Sequence, residues 1–263
     1  MEALLDFTGK VMVVTGGTRG IGKSIAEAYC QCGASVAVIG KNPQRGIEAQ
    51  QSIGHSGGSC RFYQCDISDS DAVKDTSEAI LSDYGRVDVL TVNAGIEVPP
   101  SSIADTKISD WKQLMAVNLD GAFYFIKYLI PAMEAQSSGH VIFISSVSSR
   151  SGGGTGIHYP ASKAALQGMM ARINYDLLPK GIRANMISPG LVDTPLLRRK
   201  YPDTPDINAS LNAQVPMGRI ARPVDIARIA LFLASPMSEY ICGQEIIADG
   251  GRSQYRRSVV STG

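Results

Sequence analysis

Seven short apolar runs recur along the chain, and helix-length amphipathic segments separate them. In chain order the runs are VMVVTG, SVAVIG, CRFYQCD, VDVLTVNAG, HVIFISS, IRANMISPG and QEIIADGG. Runs that are apolar throughout and alternate with helices are typical of parallel strands buried on both faces. We therefore predict an α/β fold with a doubly wound, seven-stranded parallel sheet, helices on both faces and a single domain.

The domain is predicted to span residues 1–251, because no internal repeat or low-complexity linker divides this part of the chain. Within it, residues 191–221 contain four prolines and no clear strand, which indicates an excursion that covers the ligand crevice as a substrate lid. Residues 252–263 are polar and predict a flexible tail, with docking on a partner subunit as the alternative.

Composition argues against several functional classes. The chain has 25 basic and 24 acidic residues, so no global field attracts it to nucleic acid or to a membrane surface. It contains no apolar run of membrane-spanning length and its start, MEALLDFTGK, lacks the pattern of a signal peptide, so we expect a cytoplasmic protein. The five cysteines and three histidines lack metal-ligand and CxxC spacing, and we expect no metal.

The stretch TGGTRGIG, residues 15–22, lies between the first apolar run and a segment with helical spacing. Three of its four glycines, Gly16, Gly20 and Gly22, are suited to a tight turn or to close approach of a ligand. Peptide N–H groups at the start of a helix, together with the helix dipole, favour a pyrophosphate. The spacing differs from GxGxxG, and a turn without a ligand remains an alternative.

Further motifs follow in a fixed order: NAG at Asn93–Gly95, Asn118 in NLDG, Ser146 after the fifth apolar run, YPASK at Tyr159–Lys163, then PGLVDT and ADGG. In these motifs and their order, residues 8–251 resemble the classical short-chain dehydrogenases/reductases. The resemblance implies a Rossmann-type fold, a nicotinamide cofactor, hydride transfer between a carbonyl and an alcohol, and a homotetramer or homodimer. It also implies the catalytic set Asn118, Ser146, Tyr159 and Lys163.

Tyr159 and Lys163 are four residues apart, which places them on one face of a helix. A free tyrosine, with a pKa near 10, is a poor proton acceptor at neutral pH, but a unit charge at about 4 Å supplies roughly 4 kcal/mol, or about three pKa units. We predict that Lys163 lowers the pKa of Tyr159 and that Tyr159 is the general acid/base. The predicted role of Ser146 is to orient the substrate oxygen.

Plainer roles remain open for two members of this set. Ser146 also suits a strand-end hydroxyl that satisfies backbone groups, and Asn118 suits a helix cap. The resemblance implies instead that Asn118 supports a proton path through Lys163.

The choice of cofactor depends on the end of the second apolar run. In dinucleotide folds an acidic side chain about 20 residues past the glycines binds the ribose hydroxyls of NAD, whereas here Gly40 is followed by Lys41. With Arg19 as a second cation, we predict NADP(H), and NAD(H) held through Asn42 is the alternative. With the residues that the resemblance implies, the predicted cofactor set is Gly16, Thr18, Arg19, Gly20, Ile21, Gly22, Gly40, Lys41, Asp66, Ile67, Asn93, Ala94, Gly95, Tyr159, Lys163, Pro189, Gly190, Val192 and Thr194.

The substrate is less constrained. Arg198 and Arg199 in the predicted lid, and Arg150 after the catalytic strand, favour an anionic substrate if they reach the crevice; a solvated helix face is the alternative. A neutral polyol, sugar or hydroxyketone is equally compatible. His158 is predicted to line the pocket beside Tyr159, with Ser146 on the substrate oxygen.

Two other functions are alternatives to an oxidoreductase. A dinucleotide-binding sensor without turnover does not need a lysine to acidify Tyr159, so the intact catalytic set argues against it. An epimerase or dehydratase usually carries a longer substrate domain than a chain of 263 residues provides.

Overall fold

The computed structural model describes residues 5–55, 57–99, 101–153 and 156–254. Within these residues the seven predicted strands form one fully parallel sheet with the order β3-β2-β1-β4-β5-β6-β7. The strands are β1 (Val11–Thr15), β2 (Ser35–Gly40), β3 (Ser59–Gln64), β4 (Val89–Val92), β5 (Gly139–Ile144), β6 (Ile182–Pro189) and β7 (Glu245–Ala248). The predicted doubly wound fold is confirmed.

Helices connect the strands and cover both faces of the sheet. They are α1 (Gly20–Gln31), α2 (Pro43–Gly54), α3 (Ser70–Tyr84), α4 (Ile108–Met115), α5 (Gly121–Ala135), α6 (Ser148–Ser151), α7 (His158–Leu177), α8 (Pro195–Arg198), α9 (Pro205–Ala213) and α10 (Pro223–Ala234), with a π-helical turn at Ala116–Asp120 between α4 and α5. In the described residues, no helix combines the length and the apolar character needed to cross a bilayer.

The core consists of two apolar layers, one on each side of the sheet. Along β1, Val13 packs with α3, α5 and α7, whereas Met12 and Val14 pack with α1, α2 and α10. All three side chains are at most 1% exposed, because successive residues of a strand point to opposite faces and both faces are covered. This explains why the strands are apolar throughout rather than alternating.

The order of the strands determines where a ligand binds. Chain progression runs from β1 outward to β3 and then returns to β4 on the other side of β1. The loops after β1 and β4 therefore diverge, and in open parallel sheets the ligand crevice lies at this reversal, beyond the carboxyl ends of the strands.

The predicted lid, residues 191–221, contains α8 and α9 and a small apolar cluster of its own, formed by Leu211, Val215 and Ile220. A parallel bridge between Val192 and Ala221 closes its base. The excursion is thus folded around a local core, and its movement stays a prediction. Of the predicted tail, only residues 252–254 belong to the described residues; 255–263 lie outside them.

Candidate active site

A cleft of about 780 Å³ opens at the carboxyl ends of the strands, a volume within the range of small-molecule and cofactor sites. Its walls come from the glycine turn after β1, the ends of β2 to β6, the start of α7 and the lid. Most predicted cofactor-binding and catalytic residues line it: Gly16, Thr18, Arg19, Gly20, Ile21, Gly40, Lys41, Asp66, Ile67, Asn93, Ala94, Gly95, Ser146, Tyr159, Lys163, Pro189, Gly190, Val192 and Thr194.

Glycine is required at the turn after β1. Gly16 (φ +64°) and Gly20 (φ +56°) adopt left-handed backbone that other residues rarely tolerate. Gly22 differs, because it does not line the cleft: a Cβ there would lie 2.3 Å from Asn93 Nδ2 and 2.4 Å from the carbonyl oxygen of Gly16. The prediction that Gly22 binds the cofactor is therefore corrected: this glycine lets α1 pack beneath the turn.

Helix α1 presents its N-terminus to the cleft. Its N-cap, Arg19, makes no side-chain capping bond, and the first turn holds no acidic residue. The first N–H groups of a helix lack intrahelical partners, and the helix dipole places partial positive charge there. Together with the left-handed glycines, these groups form a cradle that fits the pyrophosphate of a dinucleotide.

Beyond the pyrophosphate cradle, the end of β2 carries positive charge. A Cβ on Gly40 would lie 2.6 Å from Thr18 Cγ2, so Thr18 fills the place where an acidic side chain would stand. Burial and the charges of Arg199 and Arg45 lower the pKa of Arg19, and Arg19 and Arg45 both line the cleft. Among the described residues none of the three has an ion-pair partner, and such a cluster favours an anion.

Lys41 has a different partner from the expected phosphate. Its Nζ lies 2.5 Å from Asp66 Oδ2, and this bond is the largest cause of the lowered pKa of Asp66. Asp66 also accepts bonds from the backbone and the hydroxyl of Ser68. Both Lys41 and Asp66 line the cleft, but the chain itself neutralises the charge of Lys41.

The side chains of Ser146, Tyr159 and Lys163, which the sequence predicts to be catalytic, converge at the other end of the cleft. Ser146 follows β5, and Tyr159 and Lys163 lie on the first turns of α7. Ser145 Oγ donates to the carbonyl oxygen of Lys163 at 3.0 Å, which fixes α7 against the end of β5. Lys163 is only 4% exposed, its Nζ donates to the carbonyl oxygen of Ile144 at 2.9 Å, and burial lowers its pKa to about 8.

The predicted lowering of the pKa of Tyr159 is wrong for the structure of the chain. Burial and the negative charge of Glu97 raise that pKa, and a bond from Ser146 opposes them only in part. Lys163 directs its ammonium to the Ile144 carbonyl and is itself destabilised as a cation by burial. Tyr159 is therefore protonated at neutral pH, which suits a proton donor.

Asn118 lies in the π-helical turn and is 1% exposed. It does not line the cleft. Its side chain accepts from the N–H of Ile96 at 2.8 Å, and donates to the Ile96 carbonyl at 3.1 Å and to Ser162 Oγ at 3.2 Å. Asn118 thus clamps the loop after β4 to α7, so the structure gives it a positioning role.

Comparison with known proteins places the chain in a family. The sequence model of a family described as enoyl-(acyl carrier protein) reductase matches residues 16–253. The chain belongs to the short-chain dehydrogenase/reductase family. Members of this family are oxidoreductases that bind NAD or NADP.

Individual relatives of this dehydrogenase/reductase differ in substrate. The 3-oxoacyl-[acyl-carrier-protein] reductase of Chlamydia pneumoniae is 32% identical over 251 residues, 94% of this chain and 98% of the relative. The L-fucose dehydrogenase of Bos taurus is 33% identical over 248 residues, 93% of this chain and 90% of the relative. Among solved structures, a provisionally assigned NAD(P)-dependent gluconate 5-dehydrogenase from Beutenbergia cavernae, with NADP bound at low occupancy, has a TM-score of 0.89, 32% identity and coverage of 96% and 100%.

Of the predicted substrate contacts of this dehydrogenase/reductase, Ser146 lines the cleft, whereas Arg150, His158, Arg198 and Arg199 do not. Arg198 is held by Asp193 (2.7 Å), Asn208 (2.7 Å) and Asp203 (3.5 Å), and therefore ties the lid together. Arg150 donates to Glu245, a carboxylate buried at the edge of β7. Arg199 contributes charge near Arg19 and Glu97 without lining the cleft.

The expectation for His158 is also corrected. Its ring is fully buried, and Nδ1 accepts from the N–H of Tyr159 at 2.9 Å. This hydrogen bond holds the ring against the start of α7. A Cβ built on Gly156 would lie 3.0 Å from His158 Cε1, so Gly156 passes close to the ring.

The sequence interpretation missed five charged residues that line the cleft: Arg45, Glu97, Lys200, Asp249 and Arg252. Arg45 lies in the first turn of α2, directly after β2, so its place follows once that helix start is recognised. Lys200 is adjacent to the two arginines that were considered. Glu97 is two residues past the NAG motif, and no local pattern distinguishes it from a surface carboxylate.

Proposed function

We propose that the chain is an NADP(H)-dependent oxidoreductase that interconverts a carbonyl group and a primary or secondary alcohol, with Tyr159 as general acid/base. The observation that carries this proposal is the pairing, in one cleft, of an uncapped helix N-terminus behind left-handed glycines with Ser146, Tyr159 and Lys163. The first group fits a dinucleotide pyrophosphate, and the second fits proton transfer at an adjacent oxygen.

In the proposed reaction, the bound nicotinamide supplies or accepts the hydride. Side chains of the protein orient the substrate and transfer the proton. Ser146 directs its hydroxyl at the substrate oxygen and fixes the angle of the carbonyl. Tyr159, protonated at neutral pH, donates its proton to that oxygen as the alcohol forms, and takes it back in the reverse direction. Lys163, anchored to the Ile144 carbonyl, holds a proton behind the phenol.

The preference for NADP(H) over NAD(H) rests on the charge at the end of β2. Arg19 and Arg45 line the cleft with unneutralised guanidinium groups, and Thr18 fills the position that an acidic residue would need. A phosphate monoester on the ribose satisfies such a cluster, whereas a ribose hydroxyl leaves it uncompensated. NAD(H) held through Asn42 and backbone groups is the alternative that the experiment below distinguishes.

For partners, we propose a small-molecule substrate, a homotetramer or homodimer and a cytoplasmic location, without nucleic acid or membrane. Large apolar side chains, Ile108 on α4, Phe123 on α5 and Tyr175 on α7, are exposed, and a second copy of the chain would cover such surface. Sedimentation of the purified chain tests this: a mass of a single 28.0 kDa chain at micromolar concentration contradicts it.

The test of the function follows absorbance of reduced nicotinamide. The protein is mixed with NADPH or NADH and a panel of aldehydes, ketones and hydroxyketones, and with the oxidised cofactors and the matching alcohols. We expect turnover with the NADP pair at a higher kcat/KM than with the NAD pair. Tight cofactor binding without turnover of any compound would favour a sensor, and a reversed preference would remove the NADP assignment.

A further inference from the structure

The carboxylate of Glu97 lines the same cleft as Tyr159 and Lys163. Its charge raises the pKa of both Tyr159 and Lys163. Glu97 belongs to the loop after β4, which carries the NAG motif, and it comes from a different part of the chain than α7.

Hydrogen bonds hold this loop in place. Asn118 holds Ile96 through both its N–H and its carbonyl. A Cβ built on Gly95 would lie 3.3 Å from Lys163 Nζ, so the backbone of this loop passes directly beside the ammonium. Because residues 95 and 96 are held in place, the backbone position of Glu97 is fixed as well. Glu97 lines the cleft.

The carboxylate is partly buried and, within the described part of the chain, makes no hydrogen bond or ion pair with another side chain. Burial raises the pKa of Glu97, and the charges of Lys200, Lys163 and Arg199 lower it. Lys200 also lines the cleft, but its ammonium lies over the ring of Tyr201, 5.2 Å from the centroid. A half-buried carboxylate without a hydrogen-bond donor is costly, and a ligand can supply that donor.

We propose that Glu97 is a specificity-determining residue whose carboxylate accepts a hydrogen bond from a hydroxyl group next to the reacting carbon of a neutral, vicinal hydroxy substrate. The inference rests on the proposed function, because it needs the reacting oxygen between Ser146 and Tyr159. An ionised carboxylate is only an acceptor, so it favours a hydroxyl and repels a carboxylate or phosphate at the same position.

This inference decides between the two substrate classes that the sequence leaves open. The arginines that suggested an anionic substrate are engaged elsewhere or do not line the cleft, and the carboxylate of Glu97, whose charge acts on Tyr159, disfavours negative charge there. A hydroxyketone or a vicinal diol therefore matches the catalytic end better than a carboxylate-bearing compound.

The experiment compares three substrates in the oxidation direction: 2-butanol, 2,3-butanediol and lactate. For the wild type, kcat/KM is expected to be higher for the diol than for 2-butanol, and lowest for lactate. A hydrogen bond to a charged group contributes about 1.5–3 kcal/mol, so in Glu97→Ala the diol-to-monool ratio of kcat/KM should fall about tenfold or more, mainly through KM. In Glu97→Gln, whose amide oxygen still accepts, the fall should be smaller.

Glu78→Gln is the matched control, because Glu78 is an exposed carboxylate on α3 that pairs only with Lys74, and it should leave the ratio unchanged. General damage to the protein lowers kcat/KM for both alcohols alike, so it leaves the diol-to-monool ratio unchanged. An unchanged ratio in Glu97→Ala overturns this inference and leaves the proposed function standing. A wild type that oxidises 2-butanol with a kcat/KM at least equal to that for the diol also overturns this inference, whereas absence of turnover across the whole panel of alcohols and carbonyls contradicts the proposed function.

Discussion

The two ends of the cleft work by different physical means. At the cofactor end, the chain offers the backbone N–H groups at the start of α1, which follow the left-handed backbone of Gly16 and Gly20. At the catalytic end it offers buried titratable side chains, chiefly Lys163, Tyr159 and Glu97, whose charges act on one another. The first end depends on local geometry and the second on an electrostatic balance between distant segments.

This difference has a consequence for stability. A glycine turn that fits its neighbours costs little beyond backbone entropy, whereas a buried ammonium group loses solvation that one carbonyl bond replaces only in part. We therefore expect substitutions of the buried charges at the catalytic end to reduce activity while raising the free energy of unfolding. Substitutions of the glycines at the cofactor end should reduce both stability and cofactor binding.

The largest loss of activity with intact folding is expected for Lys163→Met, at the catalytic end. Without the ammonium, proton transfer through Tyr159 should slow by about 10²–10⁴-fold, measured as kcat with NADPH and the best carbonyl substrate. A loss of less than about threefold would contradict a role for Lys163 in proton transfer.

The same variant tests the cost of burying the charge. The pKa of Lys163 is about 8 in the folded chain and 10.5 as the ordinary value, so the unfolded chain binds more protons between these pH values. Wild-type stability should therefore rise through this window relative to Lys163→Met, by about 3 kcal/mol in all. Urea unfolding of both proteins near pH 7.5 and near pH 10.5 measures it; parallel curves would contradict the burial of a charged lysine.

At the cofactor end, Gly22→Ala should overpack the turn. The new methyl group would meet the carbonyl oxygen of Gly16 at 2.4 Å, and overpacking of this kind costs about 1–3 kcal/mol. The matched control is Gly168→Ala in α7, where nothing lies within 4 Å of the added atom; there alanine should stabilise the helix by about 0.5–1 kcal/mol. Thermal unfolding measures both, and equal effects would remove the steric argument.

A smaller effect is expected for Arg45→Ala, which removes one guanidinium of the cluster with Arg19 and Arg199. Loss of a charge-assisted bond should weaken NADPH binding about tenfold or more, with little change for NADH. Titration of nicotinamide fluorescence gives both dissociation constants. Arg172→Ala, a surface arginine paired with Asp176, is the control, and equal weakening for both cofactors would contradict the phosphate assignment.

The smallest effect is expected for Arg198→Ala. Its guanidinium is engaged by Asp193, Asn208 and Asp203 inside the lid, so substrate KM should change by less than about threefold. Initial rates with a neutral and a carboxylate-bearing substrate measure this. A rise in KM confined to the anionic substrate would restore Arg198 as a substrate contact.

The sequence was sufficient for the parts that depend on local pattern. Apolar runs predicted the strands best at the centre of the sheet, where β1, β4 and β5 are buried on both faces, and the glycine turn was visible because left-handed backbone demands glycine. The raised pKa of Tyr159 was not predictable, since burial and Glu97 act on it from segments that only the tertiary fold brings together. The sequence suggested Arg198 as a contact for an anionic substrate for the same reason, because only the fold of the lid brings its carboxylate partners to it.

The central claim is that the Tyr159 hydroxyl transfers the proton, and Tyr159→Phe tests it most directly because it removes one oxygen and keeps the ring. With NADPH and the best carbonyl substrate, kcat should fall by about 10²–10⁴-fold, while the dissociation constant for NADPH changes less than about threefold. Turnover within a factor of about three of the wild type, with the cofactor bound normally, would contradict the account.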